Sequence, residues 1–204
     1  MAADQKANER AYVGLKAAIL SGDLRLRQRL DIEKLAQRFE VSATPVRQAL
    51  AILAFERLVS VHSSRIYHVA FWSEAELHHL YAWRGDLARL ALQTYQPSPF
   101  VQPDEDPRDY VASYARVMAH IEVSANPELH RCTRGVDDRL HAALRVEIEV
   151  LQDAAKEMRA LLALLRHGGP PLRAALRRFF RRRADASARI RALAHARALP
   201  RNGD

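Results

Sequence analysis

Three side chains with different hydrogen-bonding chemistry lie close together in the chain: Thr44, Arg47 and Gln48. Spaced three and four residues apart, they would share one face of a helix. A guanidinium can read guanine, an amide can read adenine, and a hydroxyl beside free helix amides can hold a phosphate. This spacing favours a helix that enters the major groove of DNA. The alternative is a solvated face in a small helical bundle.

A second pair, Asp137 and His141, lies further along the chain. Four residues apart on a helix, a carboxylate and an imidazole face the same side and can share a divalent metal ion. Such a pair on a helix surface often forms only a local hydrogen bond. The residues themselves leave both interpretations open.

The elements that must position the first set form a helix-turn-helix pattern. Asp31 can cap a first helix, and after a turn at residues 40–41 either Ser42 or Thr44 can cap a second. Pro45 is tolerated there because the amides of a first helical turn have no partner within the helix. The positions expected to face a core are Ile32, Leu35, Ala36 and Phe39 in the first helix and Val46, Ala49, Leu50 and Leu53 in the second.

A β-hairpin is predicted after the second helix, with strands at residues 58–61 and 66–71 around a polar turn at residues 62–65. Upstream, residues 12–22 predict another helix, for which Gly22 is the expected stop. Three helices and a hairpin wing make residues 1–72 a winged helix-turn-helix domain. The residues expected to contact DNA are Ser42, Thr44, Pro45, Arg47 and Gln48, with His62, Ser63 and Arg65 from the wing.

Residues 73–204 are predicted to form an all-helical bundle, which makes the chain mainly α. Ser73 and Glu76 form a capping box that opens a helix to about residue 93. Further helices are expected over residues 108–122, from Asn126 with an interruption near Gly135, over 136–166 as one long helix, and over 172–199.

The net charge of +8 is unevenly distributed. Lys and Arg number 11 against 7 Asp and Glu in residues 1–72, 10 against 15 in residues 73–165, and 11 against 2 in residues 166–204. The arginine runs at residues 177–178 and 181–183 could neutralise phosphates, but such runs more often form a solvated face or meet an acidic surface of the same protein. We favour the interpretation that these arginines form a solvated face or meet an acidic surface of the same protein. The acidic residues of segment 73–165 are the expected internal partner.

The composition indicates the compartment in which the protein is expected to act. A single cysteine, Cys132, argues against a disulfide scaffold, and the polar N-terminal segment lacks the apolar run of a signal peptide. No segment approaches the roughly 20 uninterrupted apolar residues of a membrane span. We therefore expect a cytoplasmic protein that makes no membrane contact.

The motifs quoted above resemble the N-terminal domain of the GntR family of bacterial transcription regulators, across the whole of residues 1–72. Some positions depart from the family pattern. Glu40, Arg57 and Ile66 stand where glycine is expected, Leu26-Arg27 replaces Pro-Gly, and Ala43 replaces arginine. Without that arginine, a phosphate or base contact is lost.

The helical domain resembles the FadR-like, or FCD, subfamily. In many members of that subfamily an Asp-x-x-x-His pair joins two later histidines around a metal, where a small carboxylate effector can bind. The resemblance implies a metal of zinc or nickel type at Asp137, His141 and His195, and an effector pocket formed by these residues with Arg84. One histidine is missing, because Ala174 lies near its expected place, and His167 could substitute. The glutamate expected four residues after Arg84 is Ala88.

The resulting hypothesis is a one-component transcription regulator, most simply a repressor and not an enzyme. It would bind a palindromic operator in double-stranded DNA as a homodimer and respond to a small organic acid. The alternatives are an effector-free DNA-binding protein with a decayed pocket and a metal-dependent enzyme using Asp137, His141 and His195.

Overall fold

The computed structural model describes residues 2–62, 66–97 and 109–199. The chain divides into two compact units. The N-terminal unit contains residues 1–71 together with residues 195–204, and the helical unit contains residues 72–194.

Three helices of the N-terminal unit confirm the helix-turn-helix prediction. They are α1 (Ala2–Ser21), α2 (Ile32–Phe39) and α3 (Ala43–Phe55). Asp31 caps α2 as expected, accepting hydrogen bonds from the amides of Glu33 and Lys34 at 3.0 and 3.1 Å. Gly22 adopts a φ of 85° directly after α1, so it ends that helix as predicted.

A three-stranded antiparallel sheet follows, with strand order β1-β3-β2. Its strands are β1 (Arg29–Leu30), β2 (Val59–His62) and β3 (Ile66–Val69). His62 pairs with Ile66 and therefore belongs to the strand, not to the turn where the sequence placed it. The sequence also missed β1, whose Arg29 pairs with His68, because two residues are too short to show alternation.

The core of the N-terminal unit brings together the apolar faces of these elements. Leu15, Val46, Leu50 and Leu53 are wholly buried in it. Gly14 lets α1 approach α2 closely, since a Cβ atom there would lie 2.7 Å from the Phe39 ring. This packing fixes the orientation of α3.

The helical unit contains six helices in its described part. They are α4 (Glu74–Ala91), α5 (Tyr110–Glu122), α6 (Pro127–Val150), α7 (Ala154–Leu165), α8 (Gly169–Asp185) and α9 (Ser187–Ala198), the last of which ends in the N-terminal unit. The capping box of Ser73 and Glu76 is present, with bonds of 3.1 and 2.7 Å. No described residue after Val69 forms a strand, so the all-helical prediction is confirmed. None of the helices in the described residues is long and apolar enough to cross a membrane.

The first helix begins at Ala2 and not at residue 12, and three further expected helix boundaries were also wrong. Helix α6 continues through Gly135 without interruption, because a single glycine lowers helix stability by only about 1 kcal/mol. The predicted long helix over residues 136–166 breaks where Asp153 adopts a φ of 64°, and the predicted last helix breaks at Ala186. Apolar spacing on both sides of a one-residue break still looks periodic, so the sequence did not show these corners.

Among the described residues, left-handed backbone occurs at four that are not glycine: Arg27, Glu40, Arg57 and Asp153, with φ between 54° and 64°. The first three lie at positions where the family resemblance leads us to expect glycine. At these three positions the backbone adopts the left-handed conformation, but the residue is not the glycine that would adopt it without strain. Each such position costs the folded chain about 1–2 kcal/mol.

Glycine at two of these positions should therefore stabilise the N-terminal unit. We expect Glu40→Gly and Arg57→Gly each to raise the free energy of unfolding by about 1 kcal/mol, since relief of strain outweighs the greater freedom of unfolded glycine. Both side chains are exposed. Urea unfolding followed by circular dichroism measures the change. The matched control is Glu33→Gly inside α2, which should destabilise by about 1 kcal/mol; destabilisation by all three variants would contradict the interpretation.

Candidate nucleic-acid interface and buried arginine clusters

The exposed face of α3 carries the three side chains that the sequence singled out. Thr44, Arg47 and Gln48 are all exposed, whereas Val46 and Ala49 on the opposite side are buried. A hydroxyl, a guanidinium and an amide are thus presented together on the first turns of one helix. This is the arrangement that direct readout of base edges requires.

The first turn of α3 also differs from the prediction. Ser42 occupies the N-cap position, but its hydroxyl makes no capping hydrogen bond, and Thr44 lies inside the helix. Pro45 is buried, which differs from the prediction that it contacts DNA. The amides at the start of a helix attract anions such as a backbone phosphate.

Contacts from α1 hold the helix-turn-helix in place. The Tyr12 hydroxyl donates to Glu56 Oε1 at 2.6 Å, and Lys16 Nζ donates to Glu56 Oε2 at 2.9 Å. Arg10 donates to the carbonyl oxygen of Glu40, in the turn between α2 and α3. The segments that precede and follow α3 are therefore both hydrogen-bonded to α1.

The wing is described in part. His62 is exposed at the end of β2, with its ring 4.8 Å from that of His68 on β3. Burial, His62 and Arg29 lower the pKa of His68. Ser63 and Arg65, the other predicted wing contacts, lie outside the described residues.

In the helical unit, Arg84 of α4 is completely buried and surrounded by carboxylates. Its Nε and Nη2 donate to the two Asp137 oxygens at 2.7 and 3.0 Å, and Nη2 also donates to Glu122 at 2.6 Å. The hydroxyls of Tyr114 and Thr133 donate to Asp137 and Glu122 at 2.7 and 2.8 Å. We call these five residues the Arg84 cluster.

One donor in the Arg84 cluster has no partner in the part of the chain that the structure describes. Arg84 Nη1 is buried and makes no hydrogen bond within the described residues. Burial alone would lower the pKa of Arg84, but Tyr114, Asp137 and Glu122 outweigh it and raise the pKa, so the guanidinium stays charged. Its two carboxylate neighbours, when ionised, give the cluster one excess negative charge.

The predicted metal ligands are Asp137, His141 and His195. The described residues contain no group of three or more His, Cys, Asp or Glu side chains that could hold a metal, and His195 belongs to the N-terminal unit. There its Nε2 lies 3.2 Å from Arg27 Nη1. Asp137 bonds to Arg84, and His141 is half-buried, with burial and then Arg145 lowering its pKa. These residues do not fit the implied metal.

A second buried arginine was not singled out from the sequence. Arg183 of α8 donates from Nε to Glu147 at 2.7 Å and from Nη1 to Glu157 at 2.9 Å, and its guanidinium carbon lies 3.2 Å from the Phe179 ring centre. The hydroxyls of Tyr81 and Tyr110 donate to Glu147 at 2.5 and 2.6 Å. We call this set the Arg183 cluster.

Sequence spacing contained a signal for the Arg183 cluster. Arg183 continues the buried positions Leu176, Phe179 and Phe180 of α8, and Glu147 continues Leu140 and Leu144 of α6. A charge on the core face of each of two helices indicates a buried pair. The prediction that the arginine runs meet acidic residues of the same chain is confirmed for Arg183 and for Arg182, whose Nη1 lies 3.6 Å from Glu157.

Comparison with known proteins identifies the N-terminal part of the chain. Residues 7–69 match the family described as bacterial regulatory proteins, gntR family. The chain is 38% identical over 85 residues to the uncharacterized HTH-type transcriptional regulator BphR of Paraburkholderia xenovorans (strain LB400). It is 34% identical over 79 residues to the HTH-type transcriptional repressor GlaR of Escherichia coli (strain K12).

The matched segments cover 42% and 39% of this chain and 35% and 36% of those proteins, so the likeness spans about a third of the length of these relatives. The family match therefore lies within the segment that resembles the GntR family in sequence, residues 1–72.

Solved structures share the fold over most of the chain. A protein described as a transcriptional regulator GntR from Rhodococcus sp. RHA1 superposes with a TM-score of 0.71 at 19% identity, covering 90% of this chain and 96% of that one. McbR/YncC of E. coli gives a TM-score of 0.66 at 20% identity and covers 90% and 97%. At such identities the likeness concerns the fold alone.

Removing the charge of Arg183 should destabilise the helical unit strongly. Arg183→Met keeps an apolar chain over Phe179 but leaves Glu147 buried without its counter-charge. We expect the free energy of unfolding to fall by about 3–5 kcal/mol. Arg178→Met, at an exposed position one turn earlier on α8, is the matched control and should change it by less than about 0.5 kcal/mol. Urea unfolding distinguishes them, and equal effects would show that the Arg183 cluster contributes little.

Proposed function

We propose that this chain, a GntR-type transcription regulator by its N-terminal domain, binds a palindromic operator as a homodimer and responds to a small carboxylate in its helical unit. The observation that carries the DNA-binding part is the exposed set of Thr44, Arg47 and Gln48 on α3, within a three-helix domain with a wing. Operator binding would block transcription, in keeping with the similarity to the transcriptional repressor GlaR. Such a protein would act in the cytoplasm.

A homodimer follows from how helix-turn-helix domains read DNA. Two copies related by a two-fold axis contact half-sites about 34–36 Å apart, one helical turn of DNA. We assign the dimer contact to the helical unit. Trp83 and Leu90 lie seven residues apart on the same side of α4, and their exposed fractions of 48% and 38% are large for apolar side chains.

The effector site that we propose is the Arg84 cluster, in a helical unit of the FadR-like or FCD type. Arg84 keeps a buried guanidinium whose Nη1 has no hydrogen bond within the described residues. A carboxylate bound there would satisfy this donor, because arginine and carboxylate pair through two parallel hydrogen bonds. Differential binding of such a ligand to two conformations of the dimer would shift operator affinity.

A second candidate is an effector-free regulator, which the charge of the same cluster favours. Asp137 already occupies two of the three guanidinium nitrogens, and Glu122 shares one of them. An incoming carboxylate would meet two ionised neighbours and would have to displace Asp137. Wild-type affinity for organic acids is therefore the quantity that separates the two candidates.

Loss of the Arg47 side chain should reduce both affinity and sequence preference. We expect Arg47→Ala to weaken binding to the best genomic fragment by about tenfold to a hundredfold and to relax specificity at one base pair of each half-site. Selection of bound genomic fragments, followed by footprinting at two salt concentrations, gives both quantities. Arg178→Ala, on α8 of the helical unit, is the control. A uniform, salt-sensitive loss on all fragments would mean that Arg47 contacts only phosphate.

Neutralising Asp137 should open the Arg84 cluster to carboxylates. In Asp137→Asn the excess negative charge is removed, so we expect succinate and benzoate to bind at least about tenfold more tightly than to the wild type. The readout is the ligand-induced rise in thermal midpoint, since a ligand of the folded state stabilises it.

Two controls accompany the Asp137 variant. Asp138→Asn changes a neighbouring carboxylate that is not a hydrogen-bond acceptor of Arg84, and it should behave as the wild type. Arg84→Gln in the Asp137→Asn background should abolish the gain. A gain that survives the loss of Arg84 would place the carboxylate elsewhere.

A further inference from the structure

The arginines of helix α8 lie on two faces with different surroundings. Arg182 and Arg183 turn towards Glu157 and Glu147 inside the helical unit. Arg173, Arg177 and Arg181 follow one another at intervals of four residues and are all exposed. Like charges at this spacing repel one another on a helix, so this stripe lowers stability unless an anion lies beside it.

The arginine stripe borders a groove between α4 and α8, entirely within the helical unit. The groove has a volume of about 730 Å³, within the range of small-molecule sites. Its floor is formed by small or apolar residues, which are Ala82, Gly85, Leu92, Ala174, Leu176 and Phe180. Gly85 brings the two helices together, because a Cβ atom there would lie 3.0 Å from Phe180 Cβ.

The charges at the edge of the groove are mainly positive. Arg89 of α4 joins the three arginines of the stripe, and the acidic residues are Asp86, 3.7 Å from Arg89, and Asp185. Four cations against two anions around an apolar floor select for a molecule that is apolar along its body and negative at one end. A charged head would meet the guanidinium groups while the apolar part leaves water.

We propose that the α4–α8 groove binds an amphipathic organic anion: a molecule with an aliphatic or aromatic body and a carboxylate, sulfonate or phosphate head. This site is separate from the Arg84 cluster, none of whose residues lines the groove. It therefore goes beyond the proposed effector site and does not depend on it. A second copy of this chain fits the groove less well, because two-fold pairing would set one net-positive edge against another.

The test uses the full-length protein and three probes with the same ten-carbon chain, below their micelle concentrations: decanoate, decanol and decyltrimethylammonium. Isothermal titration calorimetry should show one saturable decanoate site per chain and at least about tenfold weaker binding of the other two. Octanoate and decanoate should differ by about fourfold per methylene group, the value for burial of one CH₂.

Three variants locate the site. Arg173→Gln/Arg177→Gln should weaken decanoate binding at least about tenfold, whereas Arg178→Gln, an exposed arginine of α8 that does not line the groove, should not change it. Ala82→Trp fills the groove from an exposed position and should abolish binding. Circular dichroism and the thermal midpoint establish that each variant is folded.

Several results would overturn the proposal. Equal binding of decanoate, decanol and the cation would show that apolar contact alone attracts these chains. Binding that survives Ala82→Trp would place the anion elsewhere. Conversion of a dimer to a monomer by Ala82→Trp in analytical ultracentrifugation would make the groove an interface between two copies. None of these outcomes bears on operator binding through α3 or on carboxylate binding at Arg84, which the experiments above test separately.

Discussion

A guanidinium without access to water controls the architecture of the helical unit. An unpaired buried charge costs several kcal/mol, so a buried arginine is retained only where carboxylates and hydroxyls surround it. Arg183 meets this condition through Glu147, Glu157 and Tyr110, side chains from three further helices. The pairing requires α5, α6, α7 and α8 to keep one relative position. Apolar packing alone would tolerate sliding between these helices more readily.

Arg84 obeys the same constraint with a different result. Its partners Asp137 and Glu122 lie on α6 and α5, and Asp137 is the less buried of the two, with 28% of its side chain exposed. Unlike the Arg183 cluster, this one contains a buried donor that makes no hydrogen bond within the described residues. An unsatisfied group inside a folded unit costs about 1–3 kcal/mol. The difference explains why we treat one arginine as structural and the other as the place where a ligand would act.

In the N-terminal unit the constraint is conformational. The left-handed residues Arg27, Glu40 and Arg57 stand at joints between elements, where the winged helix-turn-helix must turn sharply. The backbone keeps these turns although the side chains disfavour them, so the surrounding core must supply the compensating free energy. Orientation of the reading face on α3 is therefore maintained by packing and by the contacts of α1 with Glu56.

The sequence alone determined the class of fold, the caps at Asp31 and Ser73, and the reading face with Thr44, Arg47 and Gln48. These features are local: helix periodicity, capping and turns depend on residues within about one or two turns of each other. Pairing of the arginine runs with acidic residues also followed, because opposite charges in one chain have few other partners.

Only the tertiary structure decided which charges meet. The corners at Asp153 and Ala186 redirect α7 and α9. Within the N-terminal unit, His195 lies beside Arg27. Burial of Pro45 and of Arg183 likewise depends on neighbours distant in sequence. A change of helix direction at one residue hardly alters the spacing of apolar residues in the sequence. It nevertheless moves every side chain that follows. Sites assembled from several helices could therefore not be predicted from spacing alone.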